Sequence, residues 1–136
     1  INLILDVKPA NQIFARADGY PRYVWKLESQ FDKSHPKFKK LSRKFDLDRN
    51  DYFQTGLMYF DTNIISSEVF GKILSLIKEY PLSITNEQGI LNLYFLFIDQ
   101  KYTELETYIN GKLTYFYWIN KNTDTIITKA LTEQNK

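Results

Sequence analysis

The chain has 136 residues and is 43% hydrophobic, which suits a single domain over residues 1–136 with a buried core. Eighteen Lys and Arg against sixteen Asp and Glu leave a formal charge of +2, and that near balance argues against a dedicated nucleic-acid binder. The absence of Cys excludes disulfides and thiolate metal sites, and the single His35 excludes a His cluster.

Leu3-Ile4-Leu5 reads as the end of a short strand. Pro9 suits the first turn of a short helix through Ala10-Asn11-Gln12-Ile13-Phe14-Ala15. Asp18-Gly19-Tyr20-Pro21 is a turn signal, and Tyr23-Val24-Trp25 reads as a brief strand. Asp32 to Asn50 is strongly charged and poorly periodic, which predicts a surface loop with one helical turn. Within it Phe38, Leu41 and Phe45 are spaced like an amphipathic helix that could cover a site as a lid.

Asp51-Tyr52-Phe53-Gln54-Thr55 reads as a polar turn opening into a strand over Gly56 to Phe60. Asp61-Thr62-Asn63 ends that strand. A helix follows, with Ser66 or Ser67 as its cap and Glu68 in its first turn. Val69, Phe70, Ile73, Leu74 and Ile77 form its apolar face, and Tyr80-Pro81 stops it. Thr85 and Gln88 then make a capping-box pattern before the apolar run from Ile90. Lys112 to Ile119 and Thr125 to Thr128 read as strands around Asn120-Lys121-Asn122, and Thr132 to Lys136 is a polar tail. Leu91 to Ile98, the longest apolar segment, is too short to cross a bilayer and too regular for a signal peptide. Strand, helix and a helix with a polar tip, in that order, predict an α/β domain.

Two polar clusters stand at element ends about thirty residues apart, where a sheet-based enzyme holds its ligand: Gln54-Thr55-Gly56 and Glu87-Gln88. Glu87 reads either as a carboxylate in a site or as an acid favoured in a first helical turn. Gln88 reads either as a hydroxyl-binding amide or as half of the capping box. Gln54, Thr55 and Gly56 read as pocket lining or as a turn into a strand. Trp25, Trp118 and Tyr115-Phe116-Tyr117 could stack on sugar rings or simply fill a core. Asp46-Leu47-Asp48 has an Asp-x-Asp spacing but lies between Lys44 and Arg49, in a setting that points to a solvated acidic pair.

With these motifs on the page, residues 1 to 98 resemble the second half of a GT-A type glycosyltransferase, most closely glycosyltransferase family 8 and its viral relatives. That family opens a core strand with Phe-Asn-(Ala/Ser/Thr)-Gly, and Phe53-Gln54-Thr55-Gly56 takes its place. After a helix the family carries Asp-Gln-Asp-Ile-Leu-Asn, and Glu87-Gln88-Gly89-Ile90-Leu91-Asn92 takes its place. On the same register Asn2 stands at the second Asp of the family's metal-binding Asp-x-Asp.

The resemblance implies a GT-A-like mixed sheet flanked by helices, with the nucleotide-binding strands before residue 1. The chain would then be the C-terminal, sugar- and acceptor-side part of the transferase domain. The implied activity is retaining transfer of a hexose from a nucleotide-diphosphate sugar to a hydroxyl of a glycan or protein acceptor. A divalent cation, Mn or Mg, would neutralise the leaving diphosphate. Glu87 and Gln88 are then the catalytic candidates, with Glu87 in the place of the donor-sugar carboxylate. Gln54, Thr55 and Gly56 are the substrate-binding candidates, and Asn2 is the metal candidate. The chain departs from the family at Asn2, which is uncharged, at Gly89, which replaces an acid, and in having no His after His35. Those departures leave open a non-catalytic carbohydrate-binding or interaction domain on the same scaffold. The basic run Lys33, Lys37, Lys39, Lys40, Arg43 and Lys44 leaves open a module for an anionic partner.

Overall fold

A computed structural model describes residues 11–18 and 23–105, and the backbone of 108–109 and 112–113. The domain is mixed α/β. Strands β1 (Ile13–Ala17), β2 (Phe53–Phe60) and β3 (Tyr102–Glu104) form one sheet in the order β2-β1-β3. Strand β1 runs antiparallel to β2 and parallel to β3, so the sheet is mixed. Helices α1 (Phe38–Lys44), α2 (Ser67–Glu79) and α3 (Gln88–Asn92) complete the frame, and α3 runs on as a π-helical turn over Leu93–Ile98. Short strands β4 (Tyr108–Ile109) and β5 (Lys112–Leu113) pair antiparallel on their own, on either side of Asn110-Gly111 in the sequence, a pair strongly favoured between hairpin strands. Among the described residues no helix is long and apolar enough to cross a membrane.

The centre of the sheet corrects the expected helix over Pro9 to Ala15. Ile13-Phe14-Ala15-Arg16-Ala17 is a strand, flanked on both sides and buried at Ile13, Ala15, Arg16 and Ala17. The local sequence favours a helix, but pairing with two neighbours and the burial of small alternating side chains outweigh a propensity worth only tenths of a kcal/mol per residue. Tyr23-Val24-Trp25 is not a strand either. Val24 and Trp25 are exposed, and the chain then enters a 3-10 turn over Leu27–Gln30.

Helix α1 is as short as expected, but it is no lid. Leu41, Phe45 and Leu47 are buried, and the Phe45 ring meets Tyr80 at 6.2 Å and Phe97 at 5.3 Å between centroids. Its apolar side chains anchor it in the core. The basic run around it is partly neutralised on the spot. Lys40 Nζ reaches Glu79 at 2.9 Å, Lys44 Nζ lies 3.7 Å from the same carboxylate, and Lys37 Nζ donates to the Glu79 carbonyl at 2.8 Å.

Helix α2 begins where Ser66 Oγ accepts a bond from Val69 N at 3.2 Å, and it ends at Glu79, before Tyr80-Pro81. Its apolar face is split. Leu76 is buried, with Val69 and Ile73 packed on the core, whereas Phe70, Leu74 and Ile77 are exposed. Helix α3 and its π turn are apolar nearly all round, the pattern of a buried helix, and Ile90, Leu93, Tyr94, Phe95 and Leu96 are all buried.

The expected strand end at Leu3-Ile4-Leu5, Asn2, the Gly19-Tyr20-Pro21 part of the turn, the strand residues from Thr114 to Ile119 and Thr125 to Thr128, Trp118 with the Tyr115-Phe116-Tyr117 run, and the tail lie outside the described residues.

Candidate functional site

The site is built around an irregularity in the sheet. Between Ala15 and Ala17 strand β1 advances by two residues, while its partner β2 passes from Met58 back to Phe53. The surplus falls on Gln54-Thr55-Gly56-Leu57, so this segment bulges out of the ladder. A bulge leaves backbone donors without strand partners, and side chains take them up here. Gly56 N donates to Gln54 Oε1 at 2.8 Å, and Thr55 N donates to Gln88 Oε1 at 3.2 Å. The strand already begins at Phe53, so Gln54 and Thr55 lie on it, not in a turn before it.

Helix α3 is tied to the same strand by its polar face. Asn92 is fully buried. Its Oδ1 accepts from Phe53 N at 2.8 Å, and its Nδ2 donates to Phe53 O at 2.8 Å and to Gln88 O at 2.9 Å. One turn earlier the Gln88 amide is held from both ends. Its oxygen takes Thr55 N, and its Nε2 donates to Gln30 Oε1 at 2.9 Å and to Asp18 Oδ2 at 3.1 Å. Two acceptors at Nε2 and a donor at Oε1 determine which way this amide points.

The capping box is therefore not formed. Gln88 N meets the Thr85 carbonyl at 3.1 Å, but the Gln88 side chain is committed to the strand and to Asp18. Thr85 Oγ1 is buried with no hydrogen-bond partner among the described residues. Glu87 occupies the cap position without capping. Its carboxylate instead accepts from Thr55 Oγ1 at 3.0 Å, a shorter contact than that hydroxyl's 3.4 Å to Gln88 Oε1. Asn86, just before it, has a φ of 51°, a left-handed conformation that Asn tolerates better than most residues.

Three residues of this cluster were not singled out by their sequence: Asp18, Gln30 and Tyr52. Asp18 follows the last residue of β1, and its N bonds the Tyr52 carbonyl at 2.9 Å. Tyr52 is fully buried and its hydroxyl donates to Asp18 Oδ2 at 2.9 Å, while Gln30 Nε2 donates to the same hydroxyl at 3.2 Å. Burial, above all, pushes the Tyr52 phenol far above the ordinary tyrosine value, so it stays a neutral donor to the carboxylate. The one sequence signal available was an acid directly after an apolar stretch, and a turn reading absorbs it equally well.

The structure thus brings Thr55, Glu87 and Gln88 into one cluster with Asp18, Gln30 and Tyr52. Gln54 is adjacent but turned back onto its own strand, and Gly56 is exposed beside it. Asn2 lies outside the described residues. Asp51 is not part of the cluster. Arg49 grips it through Nε and Nη2, both at 2.5 Å, and this holds the Asp51 carboxyl below the usual range. Asp46-Leu47-Asp48 is a loop structure, with Asp48 N on Asp46 Oδ1 at 3.1 Å and Lys26 paired to Asp48. Among the described residues no three of His, Cys, Asp and Glu are grouped to hold a metal ion.

Gly89 now has a physical reason. A Cβ there would lie 2.9 Å from Ser83 Oγ and 3.0 Å from Phe31 Cε1, so the acid that stands at this place in the resembled motif would not fit. Gly89→Ala is expected to cost about 1–3 kcal/mol through displacement of Phe31, read as a lowered urea midpoint with an unchanged slope. A midpoint equal to the wild type would mean that Phe31 moves aside freely.

Three polar atoms in and beside the cluster are uncommitted. Asp18 Oδ1 and Glu87 Oε2 carry no hydrogen bond among the described residues, and Gln54 Nε2 is likewise uncommitted. Comparison with protein-family models, with curated proteins and with solved structures finds no match.

Proposed function

We propose that this chain is the sugar-facing part of a nucleotide-sugar-dependent glycosyltransferase of the GT-A type, similar to family 8. One observation carries the reading. Two segments that resemble the family's motifs, separated by a whole helix, meet and interlock: Thr55 bonds Glu87 and Gln88, and Asn92 clasps both backbone groups of Phe53. The mixed α/β sheet is compatible with that scaffold.

In this reading the C–O bond between the anomeric carbon and the diphosphate breaks, its electron pair leaving with the diphosphate. The acceptor oxygen bonds the anomeric carbon, and its proton passes to the leaving diphosphate. Glu87 bonds a ring hydroxyl and offsets the positive charge that develops on the sugar. Thr55 orients Glu87, and the Asp18-Tyr52-Gln30 network holds Gln88, which fixes the strand at Thr55. The divalent cation, Mn or Mg, belongs to the reading through the resemblance alone, with Asn2 as its named candidate. The described residues supply no ligand set, so no step is routed through it.

A carbohydrate-binding domain without catalysis is the second reading. It draws on the uncommitted Asp18 Oδ1, Glu87 Oε2 and Gln54 Nε2, groups of the kind that bond hydroxyls without a metal. Calorimetric titration with UDP- and GDP-hexoses, with and without Mn, separates the two. With the nucleotide-binding strands that the resemblance implies supplied ahead of this chain, metal-dependent binding with slow hydrolysis of the nucleotide sugar is expected, and Glu87→Gln should weaken it by about tenfold, the loss of one charge-assisted hydrogen bond. Binding of free hexoses alone, indifferent to Mn, would leave the second reading. Binding of neither would overturn both.

A further inference from the structure

Thr85-Asn86-Glu87-Gln88 has the spacing of a capping box, yet the cluster leaves that motif unused. In the box the Thr hydroxyl accepts from the Gln backbone N–H, and the Gln side chain returns to the Thr N–H. Neither bond is made. Thr85 Oγ1 is buried without a hydrogen-bond partner, and Thr85 N carries no hydrogen bond among the described residues. Asn86 stands in the way. Its φ is 51°, whereas a capping box needs this residue right-handed, as the first of the helix. Two sets of bonds hold the turn in its present form. Ser83 Oγ donates to Asn86 O at 2.8 Å, and the Gln88 amide is taken by Thr55 N, Gln30 and Asp18.

We propose that Thr85 to Gln88 is a two-position switch. Helix α3 starts at Gln88 while the cluster is assembled, and two residues earlier, at Asn86, when the capping box closes. The two forms compete for one amide, and each leaves groups unsatisfied. The assembled form strands a buried hydroxyl and keeps an Asn left-handed. The capped form pairs that hydroxyl and relaxes Asn86, but it leaves Thr55 N in the bulge without its acceptor and Asp18 Oδ2 with Tyr52 alone. Penalties of the same kind on both sides are what a two-state element needs. The movement is local, because Asn86 and Glu87 are both exposed and neither is wedged in the core. Closing the box takes Gln88 from Asp18 and Gln30 and carries Glu87 away from the Thr55 hydroxyl. A ligand held by Glu87 beside Thr55 therefore binds the assembled form and draws the population towards it. This switch rests on the turn itself and not on the transferase reading.

The test is NMR relaxation dispersion and saturation transfer on the isotope-labelled chain, with no ligand added. Thr55 and Thr85 to Gln88 should exchange on the microsecond to millisecond scale with a minor form populated at about 1–10%. In that minor form the Cα shifts of Asn86 and Glu87 should move to helical values. Thr85→Val keeps the branched shape and removes the capping oxygen, so the exchange should vanish. Its melting temperature should stay level or rise, since a buried unpaired hydroxyl is lost. Asn86→Ala makes the left-handed turn harder to hold, so the capped population should rise about fivefold. Flat dispersion in the wild type overturns the switch. So does a minor form in which Asn86 is not helical, or exchange that persists in Thr85→Val. Failure to bind any nucleotide sugar tells against the transferase reading alone and changes none of these results.

Discussion

Asn92→Ala should cost the fold about 2–5 kcal/mol, a large part of the stability of a domain this size. The side chain is fully buried and makes three hydrogen bonds, two of them to the N–H and C=O of Phe53. Truncation takes a partner from two backbone groups where water cannot replace it, and each such loss costs about 1–3 kcal/mol. It also leaves a small void against the Phe53 backbone. Asn92→Leu separates the two contributions, since it refills the volume and restores none of the bonds. Both variants should melt well below the wild type, with Leu recovering only a minor part. The Phe53 amide should exchange with solvent much faster in each. A Leu variant as stable as the wild type would show that the clasp contributes packing and no net hydrogen-bond energy.

That residue shows how local signals and tertiary structure divide the information in this chain. Helix α2 was legible at both ends because its determinants are local: a serine hydroxyl three residues before the amide it caps, and a proline that cannot continue the ladder. The strand holding Gly56 to Phe60 was legible from its run of apolar and aromatic residues, while the bulge at Gly56 was not. Strand β1 was not legible. Ala, Arg and Gln favour a helix, and only the two neighbouring strands, one of them some ninety residues away, make an extended conformation the better state. The lid reading of Phe38, Leu41 and Phe45 failed for a related reason. The periodicity reported an apolar face correctly but could not say that the face meets Tyr80 and Phe97.

The candidate site divides in the same way. Thr55, Glu87 and Gln88 were singled out because their residue types and order resemble a family pattern. Gln30, Tyr52 and Asp18 come from three separate segments, and no spacing rule connects positions 18, 30, 52 and 88. Gln88 itself had two local explanations, cap and site. The bulge in β2 removes the cap, because it presents Thr55 N as a donor that the strand cannot satisfy and that takes the Gln88 side chain.

Gln88→Glu should be the most damaging single-atom change in the site, and its effect should depend on pH. The substitution replaces Nε2, which donates to Asp18 Oδ2 and Gln30 Oε1, by an oxygen. Gln30 can turn its amide to answer this, but Asp18 cannot, and two carboxylates then face each other at about hydrogen-bond distance. The introduced carboxyl titrates above its unfolded value because ionisation beside Asp18 is disfavoured. The sign follows. Below about pH 4.3 the group is protonated in both folded and unfolded chains, and it can donate to Asp18 as the amide did. As pH rises through that value the folded chain retains the proton and the unfolded chain releases it, so stability relative to the wild type falls until the folded pKa is passed. Denaturant melts from pH 4 to pH 8 should therefore show a deficit that grows with pH for Gln88→Glu and stays flat for Gln88→Ala. On the transferase reading, both variants should lose on the order of a hundredfold in nucleotide-sugar turnover at pH 7, because the amide holds the strand that presents Thr55 to Glu87. A Gln88→Glu deficit with no pH dependence would mean that Asp18 moves away from position 88 at little cost, and the network would then be a consequence of packing without control over the site.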